Sequence, residues 1–154
     1  LKIGKNSLQK GLDNFGFNDK ISFVQDITKS TYGSMDSEAA LANSGYGQDQ
    51  MLVNPIHLAM IYSSFANGGN MVKPYIEYNE GKTEYYKQNV FTQQAAETVK
   101  NDLIQVVENP SGTAHDMQIQ GLTIAGKTGT AELKTSNEDT KSRNIRLVWL
   151  FYCW

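Results

Sequence analysis

The sequence predicts an α+β fold in which helices accompany an antiparallel sheet, and three observations lead to this prediction. Two stretches, Leu1 to Phe17 and Gln93 to about Asn109, repeat apolar residues at helical spacing. A third helix is predicted after Asn54-Pro55, and strands are predicted around residues 72–88 and 122–133. The predicted order is helix, loop, helix, hairpin, helix, strand, loop, strand, and we expect the sheet to be incomplete.

The first predicted helix ends at Gly16, which is a favourable C-cap. Its apolar face is formed by Ile3, Leu8, Leu12 and Phe15. Within it, Ser7-Leu8-Gln9-Lys10 matches the Ser-x-x-Lys pattern of serine acyltransferases. Ser7 lies between Asn6 and Gln9 on the polar side of the helix, however, and such two-residue patterns often arise by chance. We therefore predict a solvated helix face and no nucleophile at Ser7.

The composition of residues 18–44 predicts a long irregular connection with one short strand or turn, because polar and small residues interrupt the apolar ones. The next helix begins clearly, since Asn54 can cap it and Pro55 suits the first helical position. It continues to Ala66 and ends at the Asn67–Asn70 turn signal. His57, in its first turn, is predicted to be a hydrogen-bonded structural histidine.

Residues 72–78 and 82–88 predict a hairpin joined through Asn79-Glu80-Gly81. We expect its tyrosines to pair across the strands or to pack below them: Tyr75, Tyr78, Tyr85 and Tyr86. Thr92 is a candidate cap for the following helix. The predicted buried stripe of that helix comprises Ala95, Val99, Leu103, Val106 and Val107.

The predicted strand Leu122–Leu133 carries the residues best suited to bind a ligand. Gly126 and Gly129 weaken a strand interior and often mark a close approach by a ligand or another backbone. Between and after them, Lys127, Thr128 and Thr130 offer an ammonium group and two hydroxyls to a carboxylate. A glycine-kinked edge strand with a solvated lysine remains the alternative.

Composition excludes several classes of function. The 154 residues are 40% hydrophobic and carry a net charge of -2, with no basic surface that would suit nucleic acid. One cysteine, Cys153, excludes an internal disulfide, and the separated His57 and His115 make a zinc site unexpected. No cofactor or metal is predicted. The sequence contains no long apolar span, and because it starts at Leu1 without methionine we expect a piece of a longer protein.

Several motifs together resemble the transpeptidase domain of class B penicillin-binding proteins, and they occur in the order typical of that family. They are Ser44-Gly45-Tyr46-Gly47-Gln48, Asn54-Pro55-x-x-Leu58-Ala59-x-x-Tyr62, Ala66-Asn67-x-Gly69, Lys73-Pro74 and Lys127-Thr128-Gly129-Thr130-Ala131-Glu132. Lys-Thr-Gly is the third of three active-site motifs in this family. The resemblance implies that the Ser-x-x-Lys and Ser-x-Asn motifs lie upstream, so both are absent from this sequence.

The resemblance also implies roles for the Lys-Thr-Gly residues. Lys127 and Thr130 are expected to be catalytic, Lys127 beside the nucleophilic serine and Thr130 through a main-chain N–H of the oxyanion hole. Thr128, Gly129 and Thr130 are expected to bind substrate, with the two hydroxyls holding a terminal carboxylate. Strict alternation places Lys127 on the face opposite Thr128 and Thr130, so we expect a twisted strand or a site at the strand edge.

The end of the sequence departs from the resemblance. After a polar loop from Lys134 to Ser142, the family implies a strand of the type Ile-Gly-Trp-Phe, but Ile145 is followed by Arg146-Leu147-Val148-Trp149. If these four residues are encoded AGG CTG GTT TGG and the following base is C, removal of the first A gives GGC TGG TTT GGC. This shifted reading encodes Gly-Trp-Phe-Gly. We therefore predict a transpeptidase portion at residues 1–145 and an out-of-frame tail at 146–154. We expect this tail to leave the Lys127 strand without its neighbour.

Three functions remain open at this stage. The first is a piece of a serine-type peptidoglycan D,D-transpeptidase that binds D-Ala-D-Ala stem peptides and β-lactams, and that is inactive by itself. The second is a β-lactam-sensing receptor domain, and the third is a non-catalytic module of a cell-division complex. The resemblance implies a parent anchored at the outer face of the cytoplasmic membrane, and no nucleic-acid partner is expected.

Overall fold

The computed structural model describes residues 3–48, 50–77, 81, 83–132 and 144–152, with backbone only for 131–132 and 144–152. The chain divides into two compact units, Leu1–Gln93 and Gln94–Trp154. The elements in chain order are α1 (Lys5–Phe15), α2 (Glu38–Ser44), α3 (Pro55–Ala66), β1 (Met71–Val72), β2 (Tyr85–Lys87), α4 (Gln93–Glu108), a 3-10 turn (His115–Met117), β3 (Ile124–Glu132) and β4 (Asn144–Tyr152). The predicted α+β class, with helices and antiparallel strands, is confirmed.

Helix α1 ends as predicted and begins later than predicted. Gly16 caps its C-terminus in the left-handed conformation (φ 90°), where a residue with a side chain is strained. The N-cap is Gly4, so Ile3 lies outside the helix and is 55% exposed. Leu12 and Phe15 are half-buried and provide the apolar face of the helix.

Helix α3 has the predicted bounds and contributes two side chains to the buried cluster of the first unit. The Asn54 side chain accepts a hydrogen bond from the Ile56 N–H at 2.9 Å, and Pro55 occupies the first turn. Met60 and Ile61 are buried with Phe17, Ile21 and Met71. The burial of these side chains provides the main stabilisation of this unit.

Residues 18–44 contain a helix in addition to the short strand or turn that the sequence predicts. They include an isolated bridge between Ser22 and Asp26 and the helix α2, whose cap is the Ser37 hydroxyl. A seven-residue helix is too short for its periodicity to be recognised in the sequence.

The predicted hairpin forms, but its strands are short. Met71 pairs with Lys87 and Val72 with Tyr85 in antiparallel register, with an irregularity between the two pairs. The tyrosine prediction is wrong for Tyr75, which is 57% exposed, and is confirmed for Tyr85, which pairs across the strands with Val72. Tyr86 packs on the core, and Tyr78 lies outside the described residues.

The second unit is built on helix α4. Leu103 and Val107 are buried as predicted, but Ala96 is buried in place of Ala95. Val107, Ala114 and Ile124 form a small buried cluster against Val106. This cluster joins the end of the helix, the following loop and the start of β3.

The prediction that β3 lacks a neighbour is wrong. Strand β4 pairs antiparallel with β3 over nine residues, from Ile124 opposite Tyr152 to Glu132 opposite Asn144. Backbone hydrogen bonds depend little on side-chain identity, and residues 145–152 are rich in β-branched and aromatic types. The strand therefore runs across Ile145, where we predict a change of reading frame. Leu133 and the loop Lys134 to Ser142 lie outside the described residues.

No helix in the described parts of the chain has the length and apolar character needed to cross a membrane.

Candidate functional site

The predicted ligand-binding residues all lie on β3 in the second unit. Lys127 is opposite Trp149 in the pairing with β4, and Thr130 is opposite Arg146. Lys127, Gly129 and Thr130 are exposed, whereas Thr128 is half-buried. Pairing along the whole strand fixes the backbone on which these groups stand, which keeps their mutual positions constant.

The Lys127 side chain turns back towards the strand. Its Nζ donates a hydrogen bond to the Thr128 carbonyl oxygen at 2.6 Å. Strict alternation would place the ammonium group and the Thr128 hydroxyl on opposite faces. The hydrogen bond instead brings the charge to the backbone of Thr128, an arrangement that fits a site at the strand edge.

The Thr128 hydroxyl meets a residue that sequence reasoning missed. Thr113 Oγ1 lies 3.0 Å from Thr128 Oγ1, so the two hydroxyls are hydrogen-bonded. Thr113 belongs to the loop that follows α4. The tripeptide Gly-Thr-Ala occurs at 112–114 and again at 129–131, but this repeat does not indicate a contact between Thr113 and Thr128.

The loop carrying Thr113 is fixed against the end of α4. Gly112 donates its N–H to the Asn109 carbonyl at 2.7 Å, and Ala114 donates its N–H to the Val106 carbonyl at 3.0 Å. A Cβ atom on Gly112 would lie 2.3 Å from the Val106 carbonyl oxygen. Only glycine therefore permits this close approach.

Glu108 fixes the beginning of β3. Its Oε1 accepts the Ile124 N–H at 3.1 Å, and its Oε2 accepts from Gln118 Nε2 at 2.6 Å. The hydrogen bond from Ile124, followed by that from Gln118, lowers the pKa of Glu108. The carboxylate thus joins α4, the loop and the first residue of the strand.

Ser7, Lys10 and His57, for which the sequence predicts no catalytic role, lie in the first unit. Ser7 and Lys10 are exposed on α1, in agreement with a solvated helix face. His57 is fully buried and hydrogen-bonded to Ser30 and to the Phe15 carbonyl, as expected for a structural histidine. Among the described residues, no group of three or more side chains could hold a metal ion.

A model of a known protein family matches nearly the whole chain, including β3. The family model described as the penicillin binding protein transpeptidase domain matches residues 1–152. The chain therefore belongs to the penicillin-binding protein transpeptidase family, as the motif resemblance indicated.

Curated relatives agree with this assignment. The chain is 39% identical over 142 residues to Penicillin-binding protein 3 of Bacillus subtilis (strain 168), covering 90% of this chain and 21% of that protein. It is 31% identical over 123 residues to Peptidoglycan D,D-transpeptidase PbpA of Mycolicibacterium smegmatis, covering 74% of this chain and 24% of that protein. The chain thus spans about a fifth to a quarter of the length of these two relatives.

Solved structures share the fold. PBPA from Mycobacterium tuberculosis superposes with a TM-score of 0.74 at 25% identity, over 97% of this chain and 35% of that chain. The D,D-transpeptidase domain of a peptidoglycan glycosyltransferase from Eggerthella lenta gives 0.68 at 25% identity, over 96% and 40% of the two chains.

Proposed function

We propose that this chain is the part of a serine-type peptidoglycan D,D-transpeptidase that supplies the Lys-Thr-Gly wall of the active site. The observation that carries the proposal is the exposure of Lys127, Gly129 and Thr130 on β3, with the Lys127 ammonium group held 2.6 Å from the Thr128 carbonyl. Relatives named peptidoglycan D,D-transpeptidases support it. So do similar folds solved as penicillin G and imipenem acyl-enzyme complexes of penicillin-binding protein A.

The proposed chemistry is acyl transfer from a D-Ala-D-Ala stem peptide. A serine of the full-length protein attacks the penultimate carbonyl, terminal D-Ala leaves, and an acceptor amine then releases the acyl group. The Thr130 N–H donates to the oxyanion that forms during attack. Gly129 has no side chain to crowd the acyl group, and a β-lactam enters the same site as a substrate analogue.

Charge complementarity explains the recognition of the substrate. The terminal carboxylate accepts hydrogen bonds from the Thr128 and Thr130 hydroxyls, while the Lys127 ammonium group provides a positive potential and supports proton transfer. We propose that the nucleophilic Ser-x-x-Lys and the Ser-x-Asn motif are supplied by other parts of the full-length protein, since Ser7-Leu8-Gln9-Lys10 lies on an exposed helix face. We therefore propose that the isolated chain is inactive, and that its parent works at the outer face of the cytoplasmic membrane.

Acylation of the full-length protein by a fluorescent penicillin tests this proposal. We expect Lys127→Met to lower the acylation rate by about 100-fold or more, because it removes a preorganised charge from the site. Lys10→Met is the matched control, since Lys10 is exposed on α1, and it should be acylated like the wild type. Unlabelled wild-type protein, or equal rates for wild type and Lys127→Met, contradicts the proposal.

Three further measurements test the reaction, the inactivity of the isolated chain and the location of the full-length protein. Release of D-Ala from a stem-peptide substrate distinguishes a transpeptidase from a receptor that is only acylated. The 154-residue chain alone should not be labelled, and a stable penicillin adduct on Ser7 would show that its inactivity was wrongly proposed. A membrane-impermeant fluorescent penicillin should label the full-length protein on intact protoplasts, as expected for a domain outside the membrane.

A further inference from the structure

Thr113 is a third hydroxyl residue at the Lys-Thr-Gly strand, beside Thr128 and Thr130, although it lies 15 positions before Thr128 in sequence. The 3.0 Å separation of the two Oγ1 atoms is an ordinary hydrogen-bond distance. Either hydroxyl can donate in the absence of a ligand, because each has one proton and two lone pairs.

We propose that Thr113 is a positioning residue, which orients the Thr128 hydroxyl towards the carboxylate of the ligand. The inference rests on the proposed function, since it needs a carboxylate at Thr128. A carboxylate can only accept, so a bound ligand requires the Thr128 proton to point at it. Thr128 Oγ1 then accepts the proton of Thr113, and the two hydroxyls and the carboxylate form one donor chain.

The surroundings of Thr113 suit this role. Its backbone is held on both sides, because the Gly112 N–H donates to the Asn109 carbonyl just after α4 at 2.7 Å and the Ala114 N–H donates to the Val106 carbonyl in α4 at 3.0 Å. Ala114 is only 5% exposed and packs with Val107 and Ile124. Thr113 is therefore presented by a fixed loop, and successive hydrogen bonds in such a chain strengthen one another.

The test compares acylation of the full-length protein by a penicillin with a free carboxylate and by its methyl ester. The ratio of the two acylation rate constants measures recognition of the carboxylate. A substitution that lowers both rate constants equally leaves this ratio unchanged. Thr113→Val removes the hydroxyl and keeps the branched shape, and we expect it to lower the ratio by about 3- to 10-fold, as for one hydrogen bond. The ester rate should change little.

Two controls complete the experiment. Thr113→Ser restores the hydroxyl and should restore the wild-type ratio. Thr123→Val makes the same change at an exposed threonine directly before β3 and should leave the ratio unchanged.

The outcomes distinguish the two proposals. An unchanged ratio in Thr113→Val, or an equal fall in both rates, overturns the positioning role and leaves the proposed function intact. Wild-type protein that no penicillin acylates overturns the proposed function, and the positioning role with it.

Discussion

The buried side chain of His57 joins three segments of the first unit through hydrogen bonds whose directions are fixed by chemistry. The Phe15 carbonyl can only accept, so His57 Nε2 is the donor at 2.8 Å. The neutral ring then accepts at Nδ1 from the Ser30 hydroxyl at 2.7 Å, and Ser30 Oγ accepts the Asn54 N–H at 3.0 Å. The network links the end of α1, the following loop and the cap of α3.

We predict that this unit loses stability as the pH falls below about 6.5, the ordinary pKa of histidine. Burial is the main reason that the pKa of His57 is lowered, and the charge of Lys87 adds to it. The Phe15 hydrogen bond and the Asp19 charge act in the opposite direction. With a lowered folded pKa, the unfolded state binds the proton first on acidification, so stability is present above 6.5 and is lost below it.

Hydrogen exchange of the α3 amides at pH 7.5 and 5.5, corrected for intrinsic exchange, measures this loss in the full-length protein. His57→Gln removes the titrating ring, so its protection should change less between the two pH values. The variant keeps all other titrating groups, so the pH dependence that remains in it measures their contribution. If wild type and His57→Gln lose the same protection, His57 is not the source of the pH dependence.

Gly69 illustrates a requirement that only the three-dimensional structure reveals. The sequence predicts a turn there, and the turn residues Gly68 and Gly69 both have positive φ, at 60° and 95°. A Cβ on Gly69 would lie 2.2 Å from the Phe91 carbonyl oxygen, whereas one on Gly68 would be no closer than 3.5 Å to a side-chain atom of Gln93. The approach of Phe91 therefore demands glycine at position 69, whereas at position 68 only the positive φ favours glycine.

At the scale of elements, the Glu108 carboxylate stabilises the first residue of β3 by accepting the Ile124 N–H. We predict that Glu108→Ala speeds hydrogen exchange at the Ile124 amide by about 3- to 10-fold, because that N–H loses its acceptor. Glu97→Ala is the matched control: Glu97 lies on the same helix, and its 2.7 Å ion pair is with Lys100 on that helix. Equal exchange at Ile124 in both variants would show that the carboxylate does not hold the strand.

The elements that the sequence predicts well are those with local signals. Asn54 and Pro55 mark the start of α3, and Gly16 marks the end of α1, because caps are properties of a few adjacent residues. The strand of Lys127 was also predicted, apart from exposed Leu122 and Thr123, which precede its first residue. The contact of Thr113 with Thr128 was not predicted, since it depends on how a loop folds against a distant strand.

At the scale of the whole molecule, each unit has its own buried cluster. In the first unit, α1, α3 and the hairpin meet around Met60 and Met71, and in the second α4 and β3 meet around Val107. The predicted Lys-Thr-Gly residues and the missed Thr113 all belong to the second unit. The proposed function therefore depends on a small core, and we expect loss of a single buried contact in it to change the geometry of β3.

We propose that a single inserted nucleotide after Ile145 produced residues 146–154, and sequencing the coding DNA tests this proposal. The pairing of β4 with β3 is compatible with either reading frame, because both supply residues that favour strands. Removal of the first base of the Arg146 codon should give Gly-Trp-Phe in the shifted frame, the strand implied by the family. A coding sequence without Gly-Trp-Phe in that frame would show that the present residues of β4 are the original ones.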